Sequence, residues 1–260
     1  MWPFKKSYLL DREEIDWLVE NFSWLVSCWS QTKSLSNAQL VLPKLGFFDT
    51  GNKSGHALAQ AILTQIQAYA QIPDWPIELV QGSALPERSN ALVQIEHGTQ
   101  AMGTFQMLEN GPVRISYAAN LTKDPQGLIA TLAHEVAHYI LAGAHTQPIC
   151  EDHLHEFLTD LTAVYLGFGV FLANNAFEFS QFRDDAMGTQ GWQSQRRGYL
   201  SENQLVTALA LFLSVKQIDP VEASKCLKPH LAKSLKQALV DLKDWREDID
   251  RIRGLEGDSI

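Results

Sequence analysis

His134, Glu135 and His138 stand in the spacing His-Glu-x-x-His, inside the run Ala130-Thr-Leu-Ala-His134-Glu135-Val-Ala-His138-Tyr-Ile140. On an α-helix, residues four apart lie one turn apart on one face, so both imidazoles can reach a single metal ion. Glu135 sits beside them, placed to take a proton from a metal-activated water rather than to bind the ion. A catalytic zinc usually has three protein ligands and an open position, and two histidines leave that set one short. Downstream, His155-Glu156-Phe-Leu-Thr-Asp160 offers Glu156 as the third ligand. Asp160, one helical turn further, is suited to accept a hydrogen bond from a liganding imidazole and so fix its tautomer. On residue type alone His153, His155 and Asp160 stand as alternatives to Glu156, although the two histidines point elsewhere on a helix than Glu156 does.

The pairing of His-Glu-x-x-His on one helix with Glu-x-x-x-Asp on the next resembles the gluzincin metallopeptidases, over about the middle third of the chain. Carried over residue by residue, the resemblance implies that His134, His138 and Glu156 hold Zn2+, that Glu135 is the general base, and that Asp160 partners a liganding histidine. The spacing is also similar to that of membrane gluzincins that process prenylated or misfolded membrane proteins. Those carry several transmembrane helices, whereas no stretch here reaches the ~18 uninterrupted apolar residues of a span. The metzincin pattern fails, because Leu141 and Ala144 occupy the positions where it has Gly and His. Gluzincins commonly add a Tyr, His or Arg from beyond the second metal helix to stabilise the oxyanion; Tyr199 and Arg197, in the polar stretch 183–200, are the candidates. The family also pairs an edge strand with extended substrate, for which Gly103-Thr104-Phe105 or residues 115–117 are suited.

The elements that must position these residues are legible in the periodicity. Asp11 and Glu14 form a capping-box-like start to a helix carrying Ile15, Leu18, Val19, Phe22, Leu25 and Val26, with Trp17, Trp24 and Trp29 thickening its apolar side. A second helix is expected over 56–71, with His56 at its surface. Strands are expected over 77–80, 91–96, 102–108 and 112–117, the last two joined by the hairpin signal Asn110-Gly111. Asp124-Pro125 opens the helix of the two histidines, which ends near Gly143, and a longer helix runs from Asp152. Ser201 with Gln204 caps an apolar helix over 205–215, and Asp219-Pro220 and Lys228-Pro229 start two more. The charged run 244–253 reads as a solvated helix end. The segment 42–48 either crosses the surface or packs down.

These elements give an α+β class: a small antiparallel sheet packed on a mainly helical zincin-like catalytic domain with a helical C-terminal part. One domain over 1–260 is expected, with N-terminal helices in 1–72, sheet and metal-binding helices in 73–182, and loop and C-terminal helices in 183–260. The net charge of −9 and pI near 5.3 argue against a nucleic-acid partner, which needs clustered Lys and Arg. Cys28, Cys150 and Cys226 lack C-x-x-C spacing, and the first residues lack a secretory apolar run. A cytoplasmic protein without stable membrane insertion is expected. The expected activity is zinc-dependent hydrolysis of peptide bonds in a peptide or protein substrate. The alternatives are a non-catalytic or latent zinc-binding scaffold that engages a partner, and a zinc hydrolase of a non-peptide amide. Nothing in the sequence fixes the oligomeric state.

Overall fold

A helix that is apolar on every side must be surrounded, and residues 125–142 are such a helix. The computed structural model describes residues 7–29, 37–82, 91–94, 103–108, 112–151, 154–176 and 199–257. In it, α3 (Pro125–Ala142) is buried almost throughout and forms the axis of the molecule. Pro125 occupies the first turn, where its missing N–H costs nothing, and Gly143 closes the helix. On one side α3 meets a sheet of β1 (Ile77–Gln81), β2 (Ala91–Gln94), β3 (Gly103–Leu108) and β4 (Val113–Tyr117). On the others it meets α2 (Gly55–Tyr69) and α4, which starts as His155–Ala163 and continues through a π-helical turn, Val164–Phe168, to Ala176.

The strand order is β1-β4-β3-β2. β3 runs antiparallel to β4 with Met107 opposite Val113, the register expected of a hairpin across 109–111, and β2 is antiparallel to β3. The expected all-antiparallel sheet is corrected at its other edge: β1 pairs with β4 in parallel, Ile77 against Val113 through Gln81 against Tyr117. A parallel neighbour needs a long crossover, and the chain from 82 to 112, which lays down β2 and β3 first, supplies it. The expectation that β3 or β4 is an edge strand is likewise corrected, since both lie inside the sheet. The described pairing with β2 reaches only Gln106, however, so Gly103, Thr104 and Phe105 are paired with β4 alone among the described residues. Along β4, Val113, Ile115 and Tyr117 are buried while Arg114 and Ser116 are half-buried, the alternation of a sheet with one face on the core.

α1 (Arg12–Trp29) opens with the expected reciprocal cap: the Glu14 amide donates to Asp11 Oδ1 at 2.8 Å and the Asp11 amide to Glu14 Oε2 at 3.1 Å. Trp24 and Trp29 are buried. After α5 (Glu202–Lys216), capped by Ser201 and Gln204, come α6 (Val221–Cys226), α7 (Pro229–Asp241) and α8 (Arg246–Gly257). The charged run 244–253 is more than a solvated end. Trp245, just before α8, forms with Ile249 and Ile252 a buried stripe that packs α8 on α1 and α5; most of its charges face out, while Arg253 donates to the Ser214 and Val215 carbonyls at the end of α5. The polar count hides this because two isoleucines at i, i+3 suffice to make one face apolar.

His155–Ala176 is the one described helix long and apolar enough to cross a membrane, and 94% of that window is buried inside the protein. It is a core helix. Gly167 kinks it at φ +99, and a β-carbon there would run into the Gln39 carbonyl oxygen. The Val41 amide donates to the Gly167 carbonyl at 3.0 Å, which ties residues 39–42 to the helix; Val41 and Leu42 are buried and Leu45 is fully exposed. Gly169 permits the close approach of Leu209 on α5.

Candidate metal centre

The helical pitch of α3 places His134 and His138 side by side on the face that α4 covers, and Glu156 enters from the first turn of α4. His134, Glu135 and His138 are 2%, 1% and 1% exposed, so their polar atoms must find partners inside the protein. The three inward donor atoms converge. His134 Nε2 lies 3.1 Å from His138 Nε2 and 3.2 Å from Glu156 Oε2, and His138 Nε2 lies 3.6 Å from the same oxygen. Ligand bonds of about 2.0–2.1 Å at tetrahedral angles put neighbouring donors about 3.3 Å apart. His134, His138 and Glu156 therefore form a group that could hold a metal ion.

The outer edge of each imidazole is also assigned. His134 Nδ1 is 2.8 Å from Asp160 Oδ1 and donates its proton there. His138 Nδ1 is 3.3 Å from Thr159 Oγ1, whose own proton goes to the His155 carbonyl at 3.0 Å. Thr159 must then accept from His138, so both rings keep their Nδ1 proton and turn Nε2 toward the shared point.

Burial alone would lower His134, but the hydrogen bonds and charges of Asp160 and Glu156 outweigh it and carry the ring up to about 10. The two carboxylates thus favour the protonated form of His134, whose Nε2 faces Glu156 and His138. His138 is pushed by burial down to about 4 and stays neutral. Burial would raise Glu156, but the hydrogen bond and charge of His134 and the close approach of His138 hold it well below the usual carboxylate range. Burial raises Asp160 despite the opposing His134 and Leu200 hydrogen bonds. Glu135 is raised to about 8 by burial, with the nearby His134 charge opposing and Glu156 adding. Its Oε2 is buried with no hydrogen-bond partner among the described residues, as is Thr131 Oγ1 one turn before it.

The surroundings complete the site. The Tyr199 ring stands edge-on to His134, centroids 4.9 Å apart at 74°. Phe105 from β3 and His155 from α4 both stack on His138, at 5.9 and 5.7 Å. His155 therefore packs against His138 and is not one of the converging donors. Asp160 likewise takes the supporting place. His153 and Arg197 lie outside the described residues. His56 is exposed and is not among the converging donors; its Nδ1 lies 3.0 Å from Tyr117 Oη. Three contributions have no counterpart in the sequence reading: Thr159, the Leu200 amide, and the closeness to Glu135 of Gly103, a residue read there only as part of a substrate-pairing strand. Thr159 carries a usable signal, three residues after Glu156 on the same helix face. The other two arise from contacts between distant segments.

No family model, curated protein or solved structure matches the chain.

Proposed function

We propose that the protein is a gluzincin-like zinc metallopeptidase that hydrolyses peptide bonds. The observation that carries this reading is the convergence of His134 Nε2, His138 Nε2 and Glu156 Oε2, beside a buried Glu135 oxygen that has no hydrogen-bond partner among the described residues. Two imidazoles and one carboxylate, without thiolate, are a donor set suited to a catalytic Zn2+. When bound, zinc supplies Lewis acidity that polarises a carbonyl and acidifies water near neutral pH. Glu135 takes the proton of the attacking water and delivers it to the amine nitrogen as the carbon–nitrogen bond breaks. Asp160 and Thr159 hold the ligand tautomers. Tyr199, and Arg197 from the same stretch of chain, are the proposed donors to the developing oxyanion. An extended peptide or protein is the proposed substrate. We place the enzyme in the cytoplasm, a reading supported by free Cys28, Cys150 and Cys226.

The test is metal content and peptide cleavage, measured together on wild type and Glu135→Gln. Equal zinc in both, with cleavage by wild type only, is expected. Full activity in Glu135→Gln would remove the assigned base, and failure of purified wild type to retain or rebind zinc would remove the whole reading.

A further inference from the structure

Asp160 does more than orient a ligand. Its Oδ1 accepts from His134 Nδ1 at 2.8 Å, and its Oδ2 accepts the backbone N–H of Leu200, also at 2.8 Å. All three residues are buried. Leu200 lies outside any helix, immediately before the Ser201 cap of α5, and immediately after Tyr199. The next link is equally explicit: Gln204 completes the Ser201 cap and donates its Nε2 to Glu14 Oε1 at 2.9 Å, joining the cap of α5 to that of α1. Residues 199–204 are therefore held at one end by α1 and at the other by the carboxylate that serves the metal centre.

We propose that Asp160 is a positioning residue for Tyr199 as well as for His134: its outer oxygen fixes the Leu200 amide and so seats the Tyr199 ring against the metal-binding imidazole. The inference rests on the reading of His134 as a metal ligand. Its chemistry is specific to a carboxylate. Aspartate offers two acceptor oxygens to two donors, whereas asparagine offers one oxygen and an NH2 group that repels a second N–H. In Asp160→Asn without metal, His134 can take the other tautomer and accept from the amide NH2, which leaves the oxygen for Leu200. Zinc on Nε2 forces the proton back to Nδ1, and His134 then competes with Leu200 for that one oxygen.

Backbone hydrogen exchange at Leu200, with and without zinc, reads this competition directly. In wild type the Leu200 amide is expected to be slow to exchange in both states. In Asp160→Asn saturated with zinc it should exchange at least about tenfold faster than in the metal-free variant, while amides inside α3 keep their protection. If the oxygen instead stays with Leu200, the amide remains slow and zinc affinity falls at least about tenfold, which supports the same competition. Wild-type zinc affinity together with wild-type Leu200 protection in Asp160→Asn would overturn the proposal. So would free-chain exchange of Leu200 in folded wild type, a measurement that stands even if the variant does not fold. Zinc binding by wild type is scored separately: its failure removes the proposed function, while Leu200 protection in metal-free protein still reports the Asp160 bond.

Discussion

At the residue scale the centre is defined by where protons sit. Thr159 spends its only proton on the His155 carbonyl and can offer His138 nothing but a lone pair, which is what leaves His138 Nε2 bare. Replacing Thr159 with Val keeps the shape and removes the acceptor, and zinc affinity in a chelator competition should fall about tenfold or more. His134 adds a second expectation. Carried up to about 10, the metal-free ring holds both protons at neutral pH, and an ion taking Nε2 must displace one. Zinc binding at pH 7 should therefore release at least one proton, read by calorimetry in buffers of different ionisation enthalpy. The sign follows: below the raised pKa, apparent affinity weakens as pH falls, by about tenfold per unit for each proton displaced. Release that is absent at pH 7 would show that His134 is already neutral in the metal-free site.

At the element scale the site depends on how closely a strand and a kinked helix can approach their neighbours. A β-carbon on Gly103 would stand 2.7 Å from both Glu135 Oε1 and Thr131 Cγ2. Gly103→Ala should cost about 1–3 kcal/mol by overpacking and displace Glu135 while leaving the two histidines and Glu156 free to bind zinc. Denaturant unfolding, zinc content and turnover measured together would separate these effects, and unaltered turnover would show that the strand yields instead of Glu135. This closeness marks where the sequence stopped being informative. The spacing of His134, Glu135, His138, Glu156 and Asp160 is local and helical, so one helical turn suffices to say which atoms share a face. The reciprocal caps at Asp11–Glu14 and Ser201–Gln204 are local too, and both stand as read. Gly103 over Glu135, Phe105 on His138 and the parallel entry of β1 each join segments far apart in the chain, and periodicity carries no record of such pairings. Tyr199 is an intermediate case: no spacing singles it out, yet the two residues that follow it are a bonded backbone amide and a helix cap.

At the scale of the whole molecule, the donor group joins helices that also pack through buried apolar side chains. Its atoms come from α3 and α4, and Asp160 extends the same polar chain to the start of α5 and, through Gln204, to α1. An ion held by His134, His138 and Glu156 binds only where these helices are assembled, so its binding free energy adds to that of folding. Free zinc at 100 times its dissociation constant should raise the unfolding free energy by about 2.7 kcal/mol. For a chain of this size that is a rise in Tm of roughly 5–10 °C. Chelator should reverse it. His138→Ala should lose the shift, because two donors cannot hold the ion at that concentration. Glu135→Gln should keep it in full, because Glu135 contributes no donor to the group. A thermal shift retained in His138→Ala would mean that zinc binds elsewhere. A shift lost in Glu135→Gln would mean that Glu135 is a ligand, and the division of labour between base and ligands would have to be redrawn.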